Sequence, residues 1–156
     1  MNTLSIIKYP NPILYQKAKK VKNPLDPKIQ ELILAMEEMV VKNDNCIGLA
    51  APQVEKSLQI CVIKNNELPC ILINPQITSV SRKKSITEEG CLSLPGKFLL
   101  IERAENIKVR YLDETGKKCK IRAEGLFART IQHEVDHLKG ILMTDRIYPR
   151  TNFSKN

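Results

Sequence analysis

The stretch "IQHEVDHLKG", residues 131–140, contains both histidines of this 156-residue chain. His133 and His137 are four residues apart, so an α-helix places them one above the other and lets both imidazoles point at one site. Apolar residues before them and Gly140 after them are the signals of a helix with a defined end. We therefore predict a short helix of about Leu126 to Lys139 that carries half of a metal site.

Glu134 directly follows the first histidine. On a helix it is rotated by about 100° from His133, which places its carboxylate beside a metal rather than on it. A carboxylate in that position can act on a water as a general base and then as a general acid. HExxH patterns also arise by chance, and the alternative is an exposed, charged helical turn whose histidines are only solvated or act as caps.

A third ligand is needed, because catalytic sites of this kind usually have three protein ligands and one position left for water. Cys91 in "EEGCLSLP" has suitable chemistry: Gly90 lets another backbone approach, and the residues after Cys91 resemble the end of a strand. A thiolate there would complete a Cys-His-His set. Taken alone, a reduced cysteine in a strand explains Cys91 better than a ligand does.

The segment "CIGLAAPQ", residues 46–53, combines small side chains with an amide. Its small residues, Gly48 among them, leave room for a ligand to lie against the backbone, and the Gln53 amide can meet developing negative charge. Without the other motifs, a tight loop with an exposed Gln53 explains the segment equally well.

The composition indicates one globular domain. With 42% hydrophobic and 27% charged residues, a chain of this length can bury a sizeable core. We expect one domain over residues 1–150 and a frayed tail over residues 151–156. The sequence has no run of eighteen apolar residues, and its start lacks the pattern of a secretory signal. We expect a soluble cytoplasmic protein with no membrane contact, or an organellar one if a targeting segment has been removed.

The cysteines and the charge give weaker signals. Five cysteines without a CxxC pair argue against disulfides or a structural zinc knot, and Cys61 and Cys70 have the apolar neighbours of core residues. The net charge of +8 favours contact with polyanions such as ribosomal RNA. Because aromatic residues make up only 4% and the lysines look scattered, we prefer a solvated basic surface without specific nucleic-acid binding.

The remaining segments predict an α+β fold. Asp26 as N-cap, Pro27 at the first helical position and an apolar stripe from Ile29 to Val40 predict an N-terminal helix in the core. Five later segments are rich in β-branched residues and predict short strands: "LQICVI", "CILINPQI", "KSITEEGCLS", "ENIKVRYLD" and "KKCKIRAEG". The sequence "ETGK" predicts a turn between the last two. We expect small antiparallel sheets packed around a central HExxH helix.

Together, three motifs resemble the signatures of the peptide deformylase family. Those signatures, GxGLAAxQ, EGCLSxP and QHExDH, occur here in order as "CIGLAAPQ", "EGCLSLP" and "QHEVDH". The resemblance covers nearly the whole chain, from "YPNPIL" to "GILMTDRI". It implies an α+β enzyme that removes the formyl group from the N-terminal formyl-methionine of nascent bacterial or organellar polypeptides and releases formate.

The resemblance also implies roles for individual residues. Glu134 would be the general base and acid, and the oxyanion would be stabilised by the Gln53 amide and the backbone N–H of Leu92. The ligands of one divalent metal per chain would be Cys91, His133 and His137. In this family the metal is commonly iron(II), with zinc a poor substitute, but the ligand set also suits zinc, nickel or cobalt in a purified form.

The substrate, an N-formylmethionyl peptide, would bind as an extended strand beside Gly48 and "SLPG". We expect Ile47, Gly90 and Leu126 to form walls of the methionine pocket, although each of them fits an ordinary core position equally well. Only transient proximity to the ribosome is expected, because the long basic C-terminal helix that many bacterial relatives use there is not seen after "TDRIYPR".

Two further expectations concern the surroundings of the site. By analogy with the family, Glu89 and Arg103 would form a buried or half-buried ion pair that steadies the strand of Cys91; an exposed Arg103 is the alternative. Cys46 occupies a position where the family motif usually has glycine. If the backbone there needs a positive φ, the strain costs on the order of 1 kcal/mol or more.

Two other functions compete with this one. An HExxH metallopeptidase that cuts internal peptide bonds would use the same helix, but such enzymes generally recruit a third histidine or a glutamate, and this chain has only two histidines. An inactive ribosome-associated binding module would show damaged ligands or a replaced Glu134, and neither is visible.

Overall fold

The computed structural model describes residues 3–66 and 68–149. These residues form two α-helices and seven strands: α1 (Pro27–Lys42), β1 (Gly48–Ala50), β2 (Ile60–Asn65), β3 (Leu68–Val80), β4 (Lys84–Cys91), β5 (Leu94–Ala104), β6 (Asn106–Leu112), β7 (Lys118–Glu124) and α2 (Gly125–Leu138). Short 3-10 helices occupy Pro12–Tyr15, Ala51–Val54 and Met143–Arg146. The predicted tail, residues 151–156, lies outside the described residues.

The strands form two antiparallel sheets. The larger has the order β1-β2-β3-β6-β7, and β4 and β5 form a separate two-stranded sheet. Helix α2 packs on one face of the larger sheet and also contacts β5, so it lies between the two sheets. This arrangement confirms the predicted α+β fold with the HExxH helix at its centre.

Helix α1 covers the other face of the larger sheet only in part. It packs on β1, β2 and β3, where alternate side chains such as Val62, Ile71 and Ile73 form one apolar cluster with it. On the same face, the outward side chains of β6 and β7 are exposed.

None of the described helices is long and apolar enough to cross a membrane.

Helix α1 begins at the predicted position, and α2 begins and ends close to its predicted bounds. The Asp26 carboxylate accepts a hydrogen bond of 2.9 Å from the Lys28 N–H, and Pro27 is the first helical residue. The predicted stripe of α1 supplies its buried residues, among them Ile33, Met36 and Val40. Helix α2 differs from the prediction by one residue at each end.

The strand prediction was incomplete at two places. Strand β1 was not among the predicted strands, and a tight loop was one of two readings of its segment, because its three residues are too few to give an alternating pattern. Strand β5 was not predicted, because Pro95 and Gly96 precede a continuous apolar run in it. Residues of β5 become a strand by pairing with β4, from Cys91 opposite Leu94 to Lys84 opposite Ala104.

Cys61 is buried as predicted, whereas Cys70 is only half-buried against the core.

Gly140 ends α2 and gives the first testable prediction. Its φ of +73° is left-handed, and a Cβ there would lie 2.5 Å from the Tyr15 carbonyl oxygen, a backbone atom that has little freedom to move. We expect Gly140→Ala to lower the free energy of unfolding by at least about 1–3 kcal/mol, measured by urea denaturation. Gly125→Ala is the matched control, because Gly125 has φ +59° but no neighbour within 4 Å. Equal losses in the two variants would contradict the role of the Tyr15 contact.

Candidate metal centre

Three possible ligand atoms converge where α2 passes the end of β4. The Cys91 Sγ and one ring nitrogen from each of His133 and His137 all lie within 4.8 Å of one another. The Cys91 Sγ is 3.4 Å from the His137 Nε2, and the two imidazole centroids are 5.0 Å apart. The structure thus brings together the three residues that the sequence analysis names as ligands. A thiolate with two imidazoles suits a divalent transition metal that keeps one position open.

The hydrogen bonds and burial of the two histidines fit this donor set. The His133 Nδ1 lies 2.9 Å from the Glu89 Oε1, so Nδ1–H donates to the carboxylate and Nε2 is the ring nitrogen left for a metal. Burial lowers the pKa of His133, but its hydrogen bonds with Cys91 and Glu89 raise it to about 10. A metal that bound at Nε2 would therefore displace a proton. Burial, followed by the charges of His133 and Arg103, lowers the pKa of His137 well below its usual value, so His137 is neutral.

Glu134 is buried beside the converging atoms. Its Oε2 has no hydrogen-bond partner among the described residues, and burial raises the pKa of its carboxyl to about 7. A carboxyl group that is costly to keep charged and has no partner is well suited to exchange a proton with a neighbouring group. Its position beside the ligands, rather than among them, agrees with the helical geometry of the HExxH motif.

The Gln53 amide points at the same site. Gln53 is 1% exposed, so the alternative of an exposed loop residue is wrong. Its Oε1 accepts a hydrogen bond from the Ala50 N–H at 2.9 Å, which orients its Nε2 toward the Cys91 Sγ at 3.6 Å and the Ser93 Oγ at 3.2 Å. Leu92 lies in the turn between β4 and β5, and its N–H has no acceptor within the described part of the chain. The Leu92 N–H is therefore a donor available to a bound molecule, and the Gln53 Nε2 would become one by giving up a contact with Cys91 or Ser93.

Glu89 connects the strand of Cys91 to α2. Its carboxylate accepts two hydrogen bonds of 2.9 Å from Arg103 and one of 2.6 Å from Arg129, besides the bond from His133. Burial raises the pKa of this carboxyl, but the hydrogen bonds and charges of Arg103 and His133 outweigh burial and hold it well below its usual range. Arg103 is 5% exposed, so the exposed alternative is wrong and the expected ion pair is present. The pair fixes the His133 ring.

The sequence analysis missed several buried polar residues around this pair. The Arg103 Nη1 donates to the Asp136 Oδ2 at 2.7 Å, and Arg146 also binds Asp136. Arg129 binds Glu89, and Ser93 and Thr130 are buried elsewhere around the site. A signal did exist in α2, where Arg129, His133 and Asp136 have helical spacing and therefore lie on one face. Buried charges at that spacing need partners of opposite charge elsewhere in the fold.

The predicted pocket residues have different surroundings. Ile47 is 45% and Leu126 is 65% exposed, so neither is an ordinary core residue. Leu126 lies one helical turn before Thr130, whose methyl group faces Gly48. Gly90 is exposed beside the ring of Phe98.

The backbone strain considered for Cys46 is absent, because Cys46 is not among the described residues with positive φ. Its thiol donates a hydrogen bond to the Gly48 carbonyl at 3.3 Å.

Gly48 has no space for a side chain, which gives a second prediction. A Cβ there would lie 2.8 Å from both the Glu134 Oε1 and the Thr130 Cγ2. We expect Gly48→Ala to displace the Glu134 carboxylate and lower turnover by about 10- to 100-fold, with metal content unchanged. The double variant Gly48→Ala/Thr130→Ser removes the methyl clash but keeps the clash with Glu134, so it should remain slow. Full recovery in the double variant would show that packing against Thr130, and not the position of Glu134, explains the loss.

Comparison with known proteins gives a consistent result. A model of the polypeptide deformylase family matches residues 3–153. The chain is 47% identical over 146 residues to the peptide deformylase of Dictyoglomus thermophilum, which covers 94% of each chain. Its structure resembles the crystal structure of peptide deformylase from Thermotoga maritima with a TM-score of 0.91 and 38% identity, over 96% of this chain and 100% of that one.

A second solved structure is similar and contains a peptide. It is the Met-Ala-Ser bound class I type b peptide deformylase from Acinetobacter baumannii, with a TM-score of 0.86 and 34% identity, over 94% of this chain and 99% of that one. At these identities and coverages, the likeness extends beyond the fold to the family.

Proposed function

The chain belongs to the polypeptide deformylase family, and we propose that it removes the formyl group from the N-terminal formyl-methionine of nascent polypeptides and releases formate. The observation that carries this proposal is the convergence of Cys91, His133 and His137 beside the buried carboxylate of Glu134. Neither the family nor its relatives favour the alternatives of an endopeptidase or an inactive binding module.

In the proposed reaction, Cys91, His133 and His137 would hold a divalent metal, which would supply Lewis-acid polarisation of the formyl carbonyl and lower the pKa of a water to about 7. Glu134 accepts the proton of the attacking water and later gives it to the departing amine, as its raised pKa allows. The Gln53 Nε2 and the Leu92 N–H donate to the oxygen on which negative charge develops. The formyl C–N bond breaks, formate leaves with the new C–O bond, and the peptide is left with a free N-terminal amine.

We propose that the peptide binds as an added strand along β1. This strand is the outermost of the larger sheet, so it has only one strand partner, β2, and its other edge is free to pair. Ile47 and Leu126 would contact the methionine side chain, and Gly48 and Gly90 would let the peptide backbone approach. The exposure of both apolar side chains supports this assignment. The relative with Met-Ala-Ser bound is consistent with a short methionine-first peptide as ligand.

We propose iron(II) as the metal in the cell, because the resemblance to the family implies it. A thiolate and two imidazoles also accept zinc, nickel or cobalt, so the donor set by itself does not choose the metal. A thiolate beside an oxidisable metal with an open position is accessible to small oxidants. The iron form should therefore lose formate release in air faster than a nickel form. Full activity of the iron form under dilute peroxide, with Cys91 unmodified by mass spectrometry, would favour zinc instead.

Three coarser assignments complete the proposal. Residues 1–150 would act as one catalytic domain, and the chain would work in the cytoplasm, as the bacterial relatives suggest, or in an organelle. Its partners would be formylated nascent chains, with transient proximity to the ribosome. The family match over residues 3–153 supports the first of these.

The function can be tested with three substrates. Purified protein is incubated with formyl-Met peptides, with the same peptides acetylated, and with an unstructured protein, and formate and internal cleavage are measured. Formate from the formyl substrate alone supports the proposal. Internal fragments would support the endopeptidase, and the absence of any product would support the binding module.

A further inference from the structure

Four cations share the part of the larger sheet that α1 leaves uncovered. They are Lys108 and Arg110 on β6 and Lys120 and Arg122 on β7, and all four are exposed. Their neighbours Val109, Ile121 and Ala123 point to the opposite face and pack with α2. We call these four residues the basic face. In sequence they alternate with apolar residues on two strands, so they look like scattered charges until the strands pair.

The register places the four charges in two like pairs. Lys108 is directly opposite Arg122, and Arg110 is directly opposite Lys120, with cross-strand Cβ atoms about 5 Å apart. Like charges at that distance destabilise a sheet. Among the described residues, no carboxylate forms a salt bridge with any of the four. The one carboxylate at an outward position of these two strands, Glu124, lies at the end of its row opposite Asn106, so neither like pair has an acid across from it. This arrangement favours a bound anion that offsets the repulsion.

The basic face is concave. A groove of about 570 Å³ is lined by the four cations with Thr78 beside them. It continues into a second groove of about 510 Å³, which also contains Lys108 and Arg122 and is bordered at its far end by Asn106 and by the acidic residue Glu124. Along each strand the cations are two residues apart, which is about 7 Å. Two parallel rows of charge with hydroxyl and amide groups at the side match a repeating anionic backbone better than a single small anion.

We propose that the basic face binds the phosphate backbone of double-helical RNA without reading its bases. The only aromatic residue of β3, β6 and β7 is Tyr111, which packs on the α2 side, so the face offers no ring on which unpaired bases could stack. A membrane surface would require apolar anchors, and Val80 is the one exposed large apolar side chain lining the two grooves. A protein partner would favour aromatic residues over lysine.

The choice of RNA over DNA rests on the proposed function, since an enzyme that acts on nascent chains works next to RNA. The geometry allows both activities at once. The basic face lies on the side of the sheet away from α2, whereas His133, Glu134 and His137 are carried by α2 itself. RNA bound to the basic face would leave the peptide site accessible.

The test measures binding of a short fluorescent RNA duplex to the full chain by anisotropy at several salt concentrations. The variant Lys108→Gln/Arg110→Gln/Lys120→Gln/Arg122→Gln should bind at least about tenfold more weakly, and the slope of log K against log salt should fall by about three. The matched control, Lys17→Gln/Lys20→Gln/Lys22→Gln/Lys28→Gln, removes the same charge from exposed positions elsewhere and should bind much as the parent does. Both variants should release formate at the parent's rate, since none of these residues is near the metal site.

Several results would overturn the inference. Equal losses in both variants would mean that only net charge matters. Binding to vesicles of anionic phospholipid but not to RNA would assign the face to a membrane, and tighter binding to a DNA duplex would remove the choice of RNA. Formate release without RNA binding would refute the inference alone, whereas RNA binding by the basic face without formate release would refute the proposed function and leave the inference standing.

Discussion

Glu134→Gln is expected to lower kcat by about 10² to 10⁴, the usual loss when a general acid and base is removed, while the metal content per chain stays unchanged. The amide has nearly the shape of the carboxylate but cannot accept and return a proton. Because Glu134 is not a ligand in the proposed site, the three donors that hold the metal remain. Formate release and metal analysis on the same preparation measure both quantities.

The stability of this variant provides a second check. The Glu134 Oε2 is buried without a partner, and an uncharged side chain costs less to bury than a carboxylate without a partner. We therefore expect the melting temperature to be equal to or above that of the parent. Glu124→Gln makes the same chemical change at an exposed position just before α2 and should leave turnover unaffected. Near-normal turnover in Glu134→Gln would exclude Glu134 from the reaction.

His137→Ala is expected to lose both metal and activity. His137 is 1% exposed, and its Nε2 is 3.4 Å from the Cys91 Sγ, so no other described side chain can replace it without rearrangement. The two remaining ligands hold a metal too weakly for a catalytic site. The metal supplies several kcal/mol of transition-state stabilisation, so its loss should lower kcat/KM by at least about 10³-fold.

Metal analysis after dialysis is the decisive measurement, because a destabilised protein could lose activity for other reasons. Lys139→Ala, which changes the exposed residue after α2, should keep one metal ion per chain. The unfolding transition of His137→Ala should remain cooperative, since the core cluster beside α2 is intact. A variant that still holds one ion per chain would show that His137 is not a ligand.

Local patterns explain why much of the site could be predicted. A spacing of four on a helix defines the directions of His133 and His137 wherever the helix lies. Asp26, Pro27 and Gly140 define helix ends through their own backbone and capping preferences, which act over a few residues. The three motifs add the resemblance to the family, and with it Cys91 and Gln53.

Tertiary structure decided what depends on partners distant in sequence. Arg129 and Asp136 look like solvent-exposed charges until β4 brings Glu89, and β5 brings Arg103, against α2. Strand β5 is a strand because β4 pairs with it. The basic face exists because β6 and β7 lie in register and α1 stops short of them. The sequence alone determined which side chains α2 directs to one side, since that follows from 3.6 residues per turn. Strand pairing decided which buried charges have a partner of opposite sign and which exposed charges lie beside charges of the same sign. The reason is that electrostatic and packing energies act between groups that only the fold brings close.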